Sequence, residues 1–173
     1  VTLANALGSG VLESAGWLGF MPGLCTRLLG ESLRLPSVAT WWCGERPALA
    51  HVLANLDHLV IKPAYPNQRL EPVFGHQLDA ASREQLVGRL KARPYAFVAQ
   101  EYIALSQAPM WRNSPATGFG RRALTIRVYA IATADGYRVM PGGLARVAHD
   151  GALDVVSTQR GGGSKDIWVL DDD

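Results

Sequence analysis

The sequence predicts an α/β or α+β fold, a mostly antiparallel sheet with flanking helices. Three observations carry this. Apolar residues recur at helical spacing in the first half, as at Leu18, Met21, Leu24, Leu28 and Leu29. Strict alternation marks strands in the second half, as at Leu124, Ile126 and Val128. Helices alternate with strands early and strands follow one another late, which favours a layered mixed fold over a bundle or a sandwich. The 173 residues, 48% of them hydrophobic, suit one domain with one sizeable core.

In chain order, Val1–Ala4 is a strand candidate, and the turn-rich segment NALGSGVLES follows. The spacing predicts a helix over Trp17–Leu29. LRLPSVATWWCGE is irregular, punctuated by Pro36 and Gly44. Pro47–Asn55 reads as a helix with proline in its first turn. LVIK is a strand stopped by Pro63, and AYPNQRLEPVFG is a loop. A helix begins near Asp79 or Ser82, where Ser82-Arg-Glu-Gln85 has the form of a capping box and Leu86, Val87 and Leu90 supply the apolar face. AFVAQEYIAL, ALTIRVYAIA, GYRVMPGGLARVA and ALDVVSTQ read as strands, and IWVL is a last strand entered from the glycine segment RGGGSKD.

Bulk properties exclude several classes. A net charge of +2 is too small to argue for nucleic acid or a membrane surface. Two cysteines, Cys25 and Cys43, make neither a disulfide framework nor a zinc pattern, and suit free thiols in a reducing, cytoplasmic compartment. The four histidines show no metal-ligand spacing. No apolar run reaches the ~18 residues of a membrane span, and Trp17–Leu29 lacks the basic leader of a signal peptide. The chain opens on Val1 in mid-pattern and closes on three aspartates, as a piece of a longer protein would.

The candidate functional residues are polar groups set into apolar runs. Lys62 ends a strand of three apolar β-formers and is held by Pro63. It is either a surfaced strand end or a rigidly mounted cation aimed at an anion. Gln100 and Glu101 interrupt the strand FVAQEYIAL; a carboxylate with the backbone of Tyr102 and Ile103 beside it could read an adenine edge, or one of the pair could face solvent. Arg127 and Arg146 each sit mid-strand, as an anion site or as exposed-face arginines. In STQRGGGSKD, Gly161, Gly162 and Gly163 let backbone approach an anion with Arg160 and Lys165 on either side, or they turn a hairpin. The spacings of a Walker A loop, a dinucleotide fingerprint and a nucleophile elbow are absent, and no Ser–His–Asp or Cys–His arrangement is legible.

Together the stretches ANALGSGVLES, LPSVATWWCGE, LVIKPAY, EPVFG, VAQEYIALSQAPMW, RVYA, YRVMPGGLARVA and STQRGGGSKDIWVL resemble, in order, the circularly permuted ATP-grasp family, type 2. The resemblance implies ATP held between two lobes with Mg²⁺. It implies an ATP-dependent ligase that activates a carboxylate as an acyl phosphate for attack by an amine, with small-molecule or peptide substrates. It implies that Lys62 touches nucleotide phosphates, that Gln100, Glu101, Tyr102 and Ile103 lie on the strand that reads adenine, and that Arg127 lies near the phosphates. Arg146, Arg160, Lys165 and the three glycines would face the acyl substrate or the transferred phosphate. Asn5 resembles the family's Mg²⁺-binding asparagine. Leu3 stands where a carboxylate is usual, so Glu71 is the substitute metal ligand, and Gly75 is the only glycine in the loop after Lys62. The remaining part of the ATP-grasp domain is the expected partner. The alternative is a non-catalytic nucleotide-binding or interaction module.

Overall fold

A computed structural model describes residues 7–65, 67–68, 70–112, 118–149 and 162–169. The chain divides into two compact units, Val1–Tyr102 and Ile103–Asp173.

In the first unit, helix α1 (Trp17–Leu29) ends where Gly30 takes a left-handed φ of 71° and its amide bonds back to Thr26. Strand β1 (Thr40–Trp42), helix α2 (Arg46–Ala54), strand β2 (Leu59–Pro63), the short strand β3 (Val73–Phe74), helix α3 (Ala80–Ala92) and strand β4 (Phe97–Glu101) follow. The strands form an antiparallel sheet in the order β1-β4-β2-β3.

Strand periodicity divides this sheet's side chains between two faces. Leu59, Ile61, Phe97 and Ala99 join Val52 and Leu56 from the α2 region and Leu86 and Leu90 of α3 in one core. Leu56, Ile61, Leu90 and Val52 are fully buried, and each such side chain contributes about 1.5–3 kcal/mol. The alternate residues Val60, Lys62, Val98, Gln100 and Thr40 therefore share the other face. α1 lies against β1, with the Phe20 ring edge-on to Trp42 and its centroid 6.4 Å away.

The second unit holds β5 (Gln107–Arg112), β6 (Gly118–Arg127), β7 (Ala130–Thr133), β8 (Gly136–Val139), β9 (Gly143–Val147) and β10 (Gly163–Ile167). One antiparallel sheet runs β10-β9-β6-β5, and β7 with β8 forms a separate hairpin. The four-stranded sheet curls: Lys165 Nζ, on β10, reaches the Pro109 carbonyl of β5 at 2.8 Å.

Several expectations are corrected. The α3 cap is Asp79, whose Oδ1 accepts the Ser82 amide at 2.7 Å, so Ser82 is a donor inside the first turn and not the cap. The run AFVAQEYIAL is a strand only to Glu101: the Tyr102 amide still bonds the in-register His58 carbonyl, but His58 belongs to the 3-10 turn Leu56–His58, so the ladder finds no further partner strand. ALTIRVYAIA is broken at Val128–Tyr129 into β6 and β7. β5 contains a proline and was not expected; as an edge strand it tolerates a residue without an amide. The last strand starts at Gly163, four residues before IWVL, because ladder pairing with Val147–Gly143 needs backbone and not apolar side chains. Within EPVFG, Gly75 is buried against the Leu56 carbonyl, where a Cβ would collide, so this glycine packs the fold and opens no phosphate lid. The strand candidates Val1–Ala4 and ALDVVSTQ lie outside the described residues.

Candidate anion and nucleotide site

Lys62 is mounted by β2. Leu59 and Ile61 pin the strand to the helices, and the intervening period turns Lys62 to the opposite face. It sits across from Val98, so Gln100 is its diagonal neighbour on β4, within reach of long side chains. Lys62 Nζ donates to Gln100 Oε1 at 2.5 Å, Gln100 Nε2 donates to Thr40 Oγ1 at 3.1 Å, and Thr40 Oγ1 donates to the Val38 carbonyl at 2.8 Å.

The ammonium is half-buried, and its burial lowers its pKa from the ordinary 10.5. Gln100 is 8% exposed. Among the described residues no carboxylate lies within ion-pair distance of Lys62. A partly desolvated cation held by a neutral amide keeps its charge for an incoming anion. This arrangement explains the polar interruption of both strands: the lysine and the glutamine satisfy each other.

Glu101 alternates to the face opposite Gln100 and is exposed, on a groove shared with Asp57, His58, His76 and Tyr102. The structure thus separates the pair that sequence reading grouped. The Tyr102 amide donates to the His58 carbonyl at 2.9 Å, so that donor is committed within the fold. His76 and Tyr102 rings lie 4.7 Å apart. On the groove's rim Arg83 forms a forked ion pair with Asp57, whose carboxyl it holds below the ordinary range. Glu71 is exposed in the loop before β3. Among the described residues no group of three or more His, Cys, Asp or Glu side chains could hold a metal ion, and Asn5 lies outside them.

In the second unit, Arg127 sits across from Leu144 and Arg146 across from Thr125. The two arginines are diagonal neighbours on one face, Arg127 exposed and Arg146 half-buried. Lys165 sits across from Ala145, so it points to the other face and reaches the Pro109 carbonyl. The sheet therefore brings Arg127 and Arg146 together and sets Lys165 apart. Gly163 is in β10, where an added Cβ would come 3.2 Å from Met110 Cε. Gly162 immediately precedes the strand, and Arg160 and Gly161 lie outside the described residues.

Sequence reading missed Thr40. Its only signal is position: a hydroxyl at the start of TWW, which becomes informative once β1 is known to pair with β4. It also missed a cavity of about 210 Å³ among Trp17, Phe20, Trp42 and Tyr65, assembled from segments far apart in the chain.

Comparison with known proteins agrees with the reading of the motifs. Residues 1–148 match the model of the circularly permuted ATP-grasp type 2 family. A Frankia casuarinae protein named "Putative glutamate--cysteine ligase 2-2" is 36% identical over 169 residues, covering 98% of this chain and 19% of its own. A Frankia alni protein named "Putative glutamate--cysteine ligase 2-3" is 37% identical over 174 residues, with 98% and 19% covered. A Mycobacterium tuberculosis protein is 36% identical over 169 residues, with 98% and 18% covered. The chain thus spans about a fifth of the length of these relatives. No helix among the described residues is long and apolar enough to cross a membrane.

Proposed function

The chain belongs to the circularly permuted ATP-grasp type 2 family, and on that footing we propose that it is the nucleotide-binding part of an ATP-dependent ligase. The reaction we assign is attack of a carboxylate on the γ-phosphate of ATP, giving an acyl phosphate and ADP, followed by attack of an amine that forms the amide bond and expels inorganic phosphate. The family membership and the ligase names of the two Frankia relatives support the reaction class.

The observation that carries the nucleotide assignment is Lys62: a half-buried ammonium at a strand end, held by an amide, with no carboxylate among the described residues within ion-pair distance. Bound ATP supplies the phosphoryl group. Lys62 gives its phosphates a fixed cation, and a cation already in place needs no reorganisation as charge moves during transfer. One Nζ proton goes to Gln100; the other two are free to meet phosphate oxygens. Arg127 and Arg146 offer two cations on one sheet face, suited to an acyl phosphate or a carboxylate. Lys165 projects from the other face of that sheet and is assigned a structural role, tying β10 to β5. No step is routed through a metal ion: among the described residues no group of three or more His, Cys, Asp or Glu side chains could hold one, and Asn5, which would take that role, lies outside them.

The test is on the full-length protein. Mg-ATP should raise the melting temperature by mass action, ADP formation should depend on a carboxylate acceptor, and continuous turnover should require an amine as well. Binding without turnover for any acceptor would favour a non-catalytic nucleotide-binding module. No thermal shift and no binding would remove the nucleotide assignment.

A further inference from the structure

We infer that Thr40 is a positioning residue for the phosphate-binding cation: its hydroxyl orients the Gln100 amide, and the amide orients the Lys62 ammonium. This rests on the reading of Lys62 as a phosphate contact.

The hydrogen-bond chain has only one possible direction. A lysine ammonium donates and cannot accept, so the oxygen of Gln100 must face it. The Gln100 Nε2 must then face Thr40, whose oxygen accepts. The single Thr40 hydroxyl proton is left for the Val38 carbonyl, where it is found at 2.8 Å. Reversing the amide would place an NH₂ group against the ammonium. Thr40 is the far anchor that makes this orientation the satisfied one, because its proton is taken by a backbone acceptor and its oxygen is free to accept.

The anchor itself is held on two sides. Thr40 pairs directly across from Gln100 in the β1–β4 ladder. The α1 backbone passes over it closely, so that a Cβ added at Gly19 would lie 2.7 Å from the Thr40 carbonyl oxygen. Gln100 is 8% exposed, so little water is at hand to replace the Thr40 oxygen as its acceptor. An ammonium whose partner is free to rotate meets a phosphate in many geometries; one whose partner is fixed meets it in few, and binding costs less ordering.

The experiment measures ATP, ADP and adenosine affinity by calorimetry on the full-length protein and its Thr40→Val, Thr40→Ser, Lys62→Ala and Thr40→Val/Lys62→Ala variants. Thr40→Val, isosteric but without the hydroxyl, should weaken ATP and ADP by about 3- to 10-fold, the scale of one neutral hydrogen bond. Adenosine affinity should not change, and Thr40→Ser should bind ATP as wild type does. In the Lys62→Ala background, Thr40→Val should have no further effect. A Thr40→Val loss that persists without Lys62, or that extends to adenosine, would make Thr40 a merely structural residue. No loss in Thr40→Val would also overturn the inference. If Lys62→Ala alone binds ATP as wild type does, the phosphate reading of Lys62 fails first and the role of Thr40 goes with it. Should Thr40→Val not fold, Thr40→Ala against Thr40→Ser makes the same comparison.

Discussion

Replacing Gln100 with glutamate changes one nitrogen to oxygen and tests the anion site at its centre. In the native protein the Gln100 carbonyl oxygen is 2.5 Å from Lys62 Nζ and carries no net charge. A carboxylate there would neutralise the ammonium and stand behind it, facing any bound phosphate. With both anions at hydrogen-bond distance on opposite sides of Nζ, they lie about 6 Å apart. At an effective dielectric of about 20, that repulsion is about 2.8 kcal/mol, or roughly a 100-fold loss of ATP affinity. The fold should tolerate the change. The new carboxylate gains an ion pair with Lys62, and the Thr40 hydroxyl can turn its proton to it. Calorimetric titration with ATP and with adenosine, together with a thermal melt of each protein, reads all three quantities. Gln100→Glu should lose ATP, keep adenosine and melt near the wild-type temperature. An intact fold that binds ATP within threefold of wild type would refute the argument, because an anion cannot sit on Lys62 and ignore a carboxylate beside it.

Burial holds Lys62 below the ordinary 10.5, so ATP affinity should decline as pH rises through that lowered value, and titrations in Lys62→Arg should stay flat there. Stability moves the other way: the unfolded chain binds this proton more tightly, so the cost of half-burying the cation is relieved between the lowered value and 10.5. Glu101 projects from the face opposite Lys62, so Glu101→Ala should change the ATP:GTP affinity ratio by less than about twofold; a loss of the scale seen when a site's buried partner is left unpaired would return its carboxylate to base recognition. Gly75→Ala forces a Cβ into the Leu56 carbonyl and should destabilise by about 3 kcal/mol in denaturant unfolding, the upper range for overpacking; a wild-type midpoint would refute the close approach. Asp79→Ala should lower the melting temperature at neutral pH. The Ser82 amide lowers the Asp79 pKa below 3.8, so its contribution is present above that value and is lost as pH falls through the lowered one; the difference between the two proteins should vanish in acid.

Helix α1 was legible, because its apolar spacing is a local signal; the structure adds the left-handed Gly30 that ends it. Strand β2 and the start of β4 were legible for the same reason, as short apolar runs, whereas the end of β4 at Glu101 was not. Lys62 and Gln100 could each be picked out as polar residues in apolar company. Their pairing could not, since it depends on a register between strands 38 residues apart.

The amino-acid sequence by itself determined the mixed fold, the family and the identity of the cation at the end of β2. Those follow from local periodicity and from motif order, which need no knowledge of what lies across a strand. Only the tertiary structure decided which groups act together. One register placed Thr40, Gln100 and Lys62 on a single face and turned Glu101 away from them. Another put Arg127 and Arg146 side by side and sent Lys165 to the opposite face. The physical reason is the two-residue period of a strand: a shift of one residue in pairing exchanges the faces, and that pairing is set when two separate stretches of chain, α2 with β2 and α3 with β4, pack Leu59, Ile61, Phe97 and Ala99 into one core.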